Sequence, residues 1–258
     1  MKNIAVIFAG GTGNRMGSSL PKQFLKVNGS EIIIHTLNRF EENENIDEIY
    51  VACIEDWLTY LDNIIARAGI RKVKRTFKGG KTGQDSIFIG LSEVLKDHGN
   101  AIVLIHDGVR PLITDEVINN CIEKVKECGN AITATPCFET PITSHDGVLV
   151  DTMPRRDTVY TAQAPQCFYL QDIYKAHLEE RAINPNYEGI VDSCGLMFKH
   201  GIKCHLIKGN RGNIKVTTPE DFCTLISNLN AIDYAQFLNL ENNLNEKSKG
   251  KEYVLKKH

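Results

Sequence analysis

Apolar residues along this chain fall into short bounded runs that alternate with segments of helical spacing. Ile4-Ala5-Val6-Ile7-Phe8-Ala9 is β-branched and aromatic, ends abruptly in glycines, and reads as a buried strand of a parallel sheet. Phe24–Val27 and Ile32–Ile34 flank a turn at Asn28-Gly29-Ser30, and Glu31–Phe40 then carries Ile33, Ile34, Leu37 and Phe40 on one helical face. Ile49–Cys53 predicts a second core strand, Trp57–Ala68 an amphipathic helix and Val73–Phe77 a short strand. The stretch Gly79–Ser86 reads as a glycine loop leading into a helix over Ser86–Leu95. Ala101–Ile105 predicts a central strand, Thr114–Cys128 a helix capped by Thr114 with Asp115 and Glu116 in its first turn, and Ala131–Thr135 another strand. Strands alternating with helices call for right-handed crossovers, hence an α/β fold with a mostly parallel sheet.

That rhythm breaks at Pro136–Val159, where a His145-Asp146-Gly147 turn between extended runs predicts a β-hairpin. Helix resumes over Leu170–Arg181. Leu206–Gly209 and Asn213–Asp221 read as a last strand and the start of a final helix, with Thr218 capping and Pro219 at the first helical position. Beyond Asn228 the chain turns Asn-, Lys- and Glu-rich. One domain over residues 1–228 is expected, followed at 229–258 by a helix end and a loosely ordered tail.

Composition narrows the class without naming a function. The 258 residues are 42% hydrophobic, enough for one sizeable core, and a net charge of −2 gives no general attraction to nucleic acid or membranes. Any anion site must therefore be local. Eight cysteines form no Cys-x-x-Cys pair and sit mostly among apolar residues, which suits reduced thiols of a cytoplasmic protein and not a zinc site. No apolar run approaches the ~20 residues that span a bilayer, and Ile4–Ala9 is too short and lacks the cleavage site of a signal peptide.

The candidate chemistry begins where the first strand ends. Gly10, Gly11 and Gly13 let the backbone turn sharply and present N–H groups, while Arg15 and Lys22 add full positive charges. The combination suits a polyphosphate. No Gly-Lys-Ser/Thr follows at the needed spacing, so it is not a Walker loop, and the dinucleotide fingerprint lacks its third glycine. His106-Asp107-Gly108-Val109-Arg110-Pro111 follows the central strand, at the end where open α/β sheets bind ligands. There Asp107 can hold Mg2+ through oxygen and Arg110 can meet phosphate, although an Asp–Arg surface pair explains those two residues equally well.

The segment Ala9-Gly10-Gly11-x-Gly13-x-Arg15-Met16 followed by Pro21-Lys22-Gln23 resembles the signature of the cytidylyltransferases acting on 2-C-methylerythritol 4-phosphate and ribitol 5-phosphate. His-Asp-x-x-Arg-Pro and Asn213-Ile214-Lys215-Val216-Thr217-Thr218-Pro219-Glu220-Asp221 match the same family. The resemblance implies a Rossmann-like nucleotidyltransferase fold whose hairpin, about 136–160, is an arm embracing a second subunit, hence a homodimer. It implies CTP binding around Phe8, Ala9, Gly10, Gly11 and Gly13, with Gly79, Gly80, Asp85 and Ser86 at the cytosine and ribose and Gly108 beside them. It implies Arg15, Lys22, Arg156 and Lys215 as catalytic, with Mg2+ as cofactor on Asp107. Asp107, Arg110, Asp192 and Lys215 would face a polyol phosphate, joined by Arg156 from the neighbouring subunit. Gly83 stands where the family has an arginine, and Val191 where it has a threonine. Val109 and Val191 lean towards a pentitol phosphate acceptor and a CDP-alditol product, with methylerythritol phosphate as the alternative.

Three other functions fit part of the pattern. A sugar-1-phosphate nucleotidyltransferase fits the first glycine loop but not Pro21-Lys22-Gln23. A glycosyltransferase wants an Asp-x-Asp motif, which the chain lacks. A non-catalytic nucleotide binder would not need Arg15, Lys22, Asp107, Arg156 and Lys215 together.

Overall fold

The structure, a computed structural model, describes residues 1–11 and 20–232. Gly13 and Arg15 therefore lie outside the described residues, as does the expected tail beyond 232.

Seven strands form one sheet in the order β5-β4-β1-β6-β8-β7-β9. These are β1 (Lys2–Ala9), β4 (Glu48–Cys53), β5 (Val73–Lys78), β6 (Ala101–Asp107), β7 (Asn130–Pro136), β8 (Tyr160–Tyr169) and β9 (Leu206–Lys208). The pairs among β5, β4, β1 and β6 are parallel, whereas β8 is antiparallel to both its neighbours. Strand β8 was not expected from sequence, because its outer half is polar and exposed and only Ala164–Phe168 is fully buried. A small hairpin, β2 (Lys26–Val27) and β3 (Ser30–Glu31), turns through Asn28 and Gly29, both at positive φ.

Alternation along β1 assigns its two faces. Ala5, Ile7 and Ala9 join a core with α1 (Ile32–Glu42), α2 (Leu58–Ala68) and α4 (Asp115–Cys128). Ile4 and Val6 join another with α3 (Gly83–Asp97), α5 (Leu170–Ile183) and α6 (Ser193–Lys199). Helices thus cover both faces, as a strand with apolar residues on both sides requires. The Thr114 cap is observed, its hydroxyl accepting from Val117 N. A helix α7, from 219 to the end of the described residues at 232, is capped reciprocally by Thr218 and Asp221. Its Leu225 packs with Val27, Ile32, Val109 and Val216.

Three expectations need correcting. Helix α3 begins at Gly83, not Ser86, because Thr82 caps it and Asp85 returns the hydrogen bond, so Asp85 and Ser86 sit in the first turn. Residues 213–217 form no strand; Val216 N donates instead to Val109 O, fastening this segment to the turn after β6. The hairpin between β7 and β8 is reduced to one antiparallel bridge, Thr143 to Thr152, below a turn held by Asp146.

Strands β4 and β6 flank β1, and the chain leaves β1 for one side and later returns on the other. The crevice beyond the carboxyl ends of β1 and β6 is the topological switch point, where such sheets bind ligands.

Candidate active site

Gln23 fixes the first glycine loop against the sequence that follows it. Its Nε2 donates 2.7 Å to Ala9 O, across 14 residues of chain. Phe24 anchors the same short turn by stacking on Trp57 at 5.0 Å and meeting Tyr60 edge-on at 5.2 Å. Lys22, between these anchors, is only 9% exposed and its stem passes Gly11. An ammonium beside side-chain-free backbone is thereby built into the end of β1.

The second loop closes on the first through Ser86. Its hydroxyl accepts from Gly80 N at 3.0 Å and donates to Thr82 O at 3.0 Å. A Cβ at Gly80 would collide with Cβ of Asp85, so the loop can lie this close to α3 only with glycine there. Asp85 also receives Arg181 of α5 at 2.6 Å, and that guanidinium lies 4.6 Å above the Phe88 ring. Arg181 was not singled out in the sequence; 96 residues separate it from Asp85. The N-terminus of α3 faces the crevice, with Thr82, Gly83 and Ser86 on its wall.

Asp107 ends β6 opposite Phe8 of β1. Its Oδ1 receives Lys215 Nζ at 2.6 Å and its Oδ2 receives Arg110 Nε at 2.8 Å. Burial alone would raise this carboxyl, but the Lys215 and Arg110 charges and hydrogen bonds bring it below the usual carboxylate range. Arg110 reaches on to Asn213 O at 2.9 Å, and Asn213 Nδ2 donates to Ala164 O at 3.1 Å. Residues 213–217 are thus tied to both β6 and β8, which positions Lys215. His106 is fully buried, pushed down to about 4 by that burial, and its neutral ring is 3.1 Å from Arg110 O. Gly108 has a packing reason: a Cβ there would press on Ile33 and Ala9.

Two adjoining cavities open at this point. One, of about 350 Å3, lies over the glycine loops with Gly10, Gly11, Lys22 and Gly80 on its wall. The other, of about 260 Å3, extends towards β8 and α6 and is lined by Arg110, Gln166 and Asp192. Phe8, Gly83, Asp107 and Lys215 border both. Of the expected site residues, Phe8, Asp107 and Lys215 border both cavities and Ala9, Gly10, Gly11, Lys22, Gly80, Ser86, Arg110 and Asp192 line one, whereas Gly79, Asp85, Gly108 and Arg156 line neither. Arg156 lies exposed at the base of the hairpin, its guanidinium 3.4 Å from Phe138 O, and lines neither cavity.

Asp192 does line the smaller cavity, yet both its oxygens are engaged. Oδ1 caps α6 by accepting from Gly195 N, and Oδ2 accepts from Gln166 Nε2, each at 2.8 Å. Gln166 Oε1 in turn accepts from Cys194 N. Gln166 and Asn213 carry no signal in the sequence, because an amide shows no pattern until its partners are in space.

Among the described residues no group of three or more His, Cys, Asp or Glu side chains could hold a metal. Asp107 is a single hard oxygen donor set. It fits a cation such as Mg2+ that keeps its waters and takes most of its other ligands from substrate phosphates.

The family model for 2-C-methyl-D-erythritol 4-phosphate cytidylyltransferase matches residues 3–228. The chain is 48% identical over 223 residues to the ribitol-5-phosphate cytidylyltransferase of Vibrio parahaemolyticus, covering 85% of this chain and 92% of that one. It is 38% identical over 221 residues to the 2-C-methyl-D-erythritol 4-phosphate cytidylyltransferase of Clostridium botulinum, covering 85% and 94%. The crystal structure of 4-diphosphocytidyl-2C-methyl-D-erythritol synthase from Anaerococcus prevotii is similar with a TM-score of 0.78 at 28% identity. That match covers 89% of this chain and 96% of the other.

Proposed function

This chain belongs to the 2-C-methyl-D-erythritol 4-phosphate cytidylyltransferase (IspD) family, and we propose that its reaction is transfer of CMP from CTP to ribitol 5-phosphate or a related pentitol phosphate. The products are a CDP-alditol and pyrophosphate. The observation that carries this is the Arg110–Asp107–Lys215 cluster, with Asp107 and Lys215 on the border of both cavities. A cation at that border can touch two phosphates at once.

CTP occupies the larger cavity, its phosphates against Gly10, Gly11 and Lys22 and its ribose and base towards Gly79, Gly80 and the α3 terminus. The acceptor occupies the smaller cavity with its phosphate against Arg110 and Lys215. An oxygen of the acceptor phosphate attacks the α-phosphorus in line, the bond to the bridging oxygen breaks, and pyrophosphate leaves. No covalent enzyme intermediate is needed, so positioning and charge stabilisation supply the catalysis. Lys22 acts on the charge that grows on the leaving pyrophosphate, and Lys215 neutralises the incoming phosphate. Mg2+, held partly by Asp107, supplies further neutralisation of the phosphate oxygens when bound.

Arg156 serves the site of a second subunit. In support, it is exposed and remote from its own cavities, and the hairpin beside it displays Val148, Leu149, Val150 and Met153 to solvent. A homodimer would bury them. A cytoplasmic location is supported by eight unbridged cysteines, a reducing-compartment trait; among the described residues no helix is long and apolar enough to cross a membrane.

The pentitol acceptor is supported by the higher identity to the ribitol-5-phosphate enzyme and by Val109 and Val191 at positions that face the cavities. Pyrophosphate release from CTP, measured with pentitol, tetritol and methylerythritol phosphates, tests it. Ribitol 5-phosphate is expected to give the highest kcat/KM. A preference for methylerythritol phosphate would transfer the assignment to that substrate.

A further inference from the structure

The smaller cavity is lined by polar side chains that the fold leaves unused. Gln84, in the first turn of α3, is 4% exposed, and Ser193, the first residue of α6, is 1% exposed. Gln163 lies on β8 just past the residue that pairs with Ile105, so it projects beyond the end of β6. All three line this cavity. Yet Gln84 Oε1, Gln163 Oε1 and Ser193 Oγ are buried without any hydrogen-bond partner among the described residues. Buried polar groups are paired in the great majority of cases, so three unpaired ones around one cavity require a reason.

Their neighbours show what a purely structural polar residue looks like here. Gln166 spends both ends of its amide, on Asp192 and on Cys194 N, and Asp192 spends its other oxygen on the cap of α6. Asp192, the residue expected to meet a hydroxyl, already accepts one bond on each oxygen, from Gly195 N and Gln166 Nε2, and keeps lone pairs for another. Val191 is 93% exposed and has nothing to donate. Among the described residues lining this cavity, Gln84, Gln163 and Ser193 are the ones with a buried side-chain oxygen that has no partner at all.

We propose that these three side chains read the free hydroxyls of the acceptor and set its specificity for a pentitol chain; the proposal rests on the cytidylyl-transfer function above. A carboxamide offers two donors and an acceptor, and a serine hydroxyl offers both roles. Adjacent hydroxyls along an open chain carry the same mixture and can satisfy all three. Methylerythritol phosphate carries its methyl in place of a hydrogen, but its shorter chain offers one free hydroxyl fewer than ribitol phosphate, which leaves one of these groups buried and unpaired. Sites built to bond a hydroxyl reject the analogue that lacks it far more strongly than apolar pockets reject a methylene.

The test uses Gln84→Met, Gln163→Met and Ser193→Ala, which keep volume and remove hydrogen bonding. Pyrophosphate release is measured with CTP and ribitol 5-phosphate, its single-deoxy analogues, and methylerythritol 4-phosphate. Each variant is expected to lose about tenfold to a hundredfold in kcat/KM for ribitol 5-phosphate, through the acceptor KM, with the CTP KM unchanged. The penalty for deleting one substrate hydroxyl should shrink in the variant that read it. Thermal midpoints should hold or rise, because an unpaired buried polar group has been replaced by carbon. A merely structural amide would instead lower the midpoint. The proposal is overturned if the parent enzyme accepts the deoxy analogues as well as ribitol 5-phosphate, a result that needs no variant to fold. It is also overturned if active variants keep the parent's acceptor preference, or if the loss falls on the CTP KM. A parent that releases no pyrophosphate from CTP with any polyol phosphate overturns the transfer reaction itself.

Discussion

Replacing Asp107 by asparagine separates what the carboxylate does for the fold from what its neighbours do for the reaction. The carboxylate is 7% exposed and bonded to two cations, Arg110 at 2.8 Å with 13% of its side chain exposed and Lys215 at 2.6 Å with 42% exposed. Breaking a buried ion pair costs about 3–5 kcal/mol, mostly because a charge is left buried without its partner. Arg110 meets that condition. Lys215 can turn to water, so its share is screened and small. The expected loss is about 2–3 kcal/mol, which at a urea slope of about 3 kcal/mol/M lowers the unfolding midpoint by about 1 M. Lys215→Met should cost under about 1 kcal/mol in the same assay. The same Lys215→Met change should nevertheless reduce kcat about a hundred- to a thousandfold, the scale of one lost transition-state charge contact. The effects on stability should also couple: in the Lys215→Met background Asp107→Asn should cost less than in the parent.

The pH dependence of that difference carries a definite sign. The Asp107 carboxyl lies below its unfolded value of 3.8, so its contribution is fully present above that value and is lost as pH falls through the folded one. Parent and Asp107→Asn should therefore converge below about pH 4. An Asp107→Asn protein with the parent's urea midpoint at pH 7 would refute the account of the cluster, as would a gap that widens in acid.

Three other outcomes follow from the same geometry. Lys22→Ala should depress kcat about a hundred- to a thousandfold while changing CTP affinity far less; near-normal turnover in steady-state pyrophosphate release would remove Lys22 from the reaction. Mixing Arg156→Ala subunits with Lys22→Ala subunits should restore part of the activity, because one site of each heterodimer then has all its groups, and proven heterodimers without recovery would show that each subunit works alone. Stability should fall as pH drops from 6.5 towards 4, by about 3 kcal/mol for His106, whose burial holds it at about 4 and so excludes a proton that the unfolded chain accepts; a His106→Gln variant with the parent's slope in urea titrations over that range would contradict this.

Whatever depends on neighbours along the chain was legible before the structure. The apolar run of β1 and its glycines, the Thr114 and Thr218 caps, the Asn28-Gly29 hairpin and the alternation of strands with helices all rest on spacings of a few residues. The cap at Thr82 was legible too, as a threonine followed three positions later by an acid, but the glycines around it favoured a longer loop. Segment α6 escaped because seven residues hold too few turns to show a period, and β8 because half of it is polar.

Tertiary structure alone decided which of the marked residues share a site. Lys215 meets Asp107 and Arg181 meets Asp85 across roughly a hundred residues of chain, brought together by β8 inserting between β6 and β7 and by residues 213–217 fastening to the turn after β6. It also decided which polar groups are already spent. Asp192 and Gln166 satisfy each other, whereas Gln84, Gln163 and Ser193 do not find partners. A sequence records that a residue can form a hydrogen bond. Whether the bond is still available is a property of the packed chain.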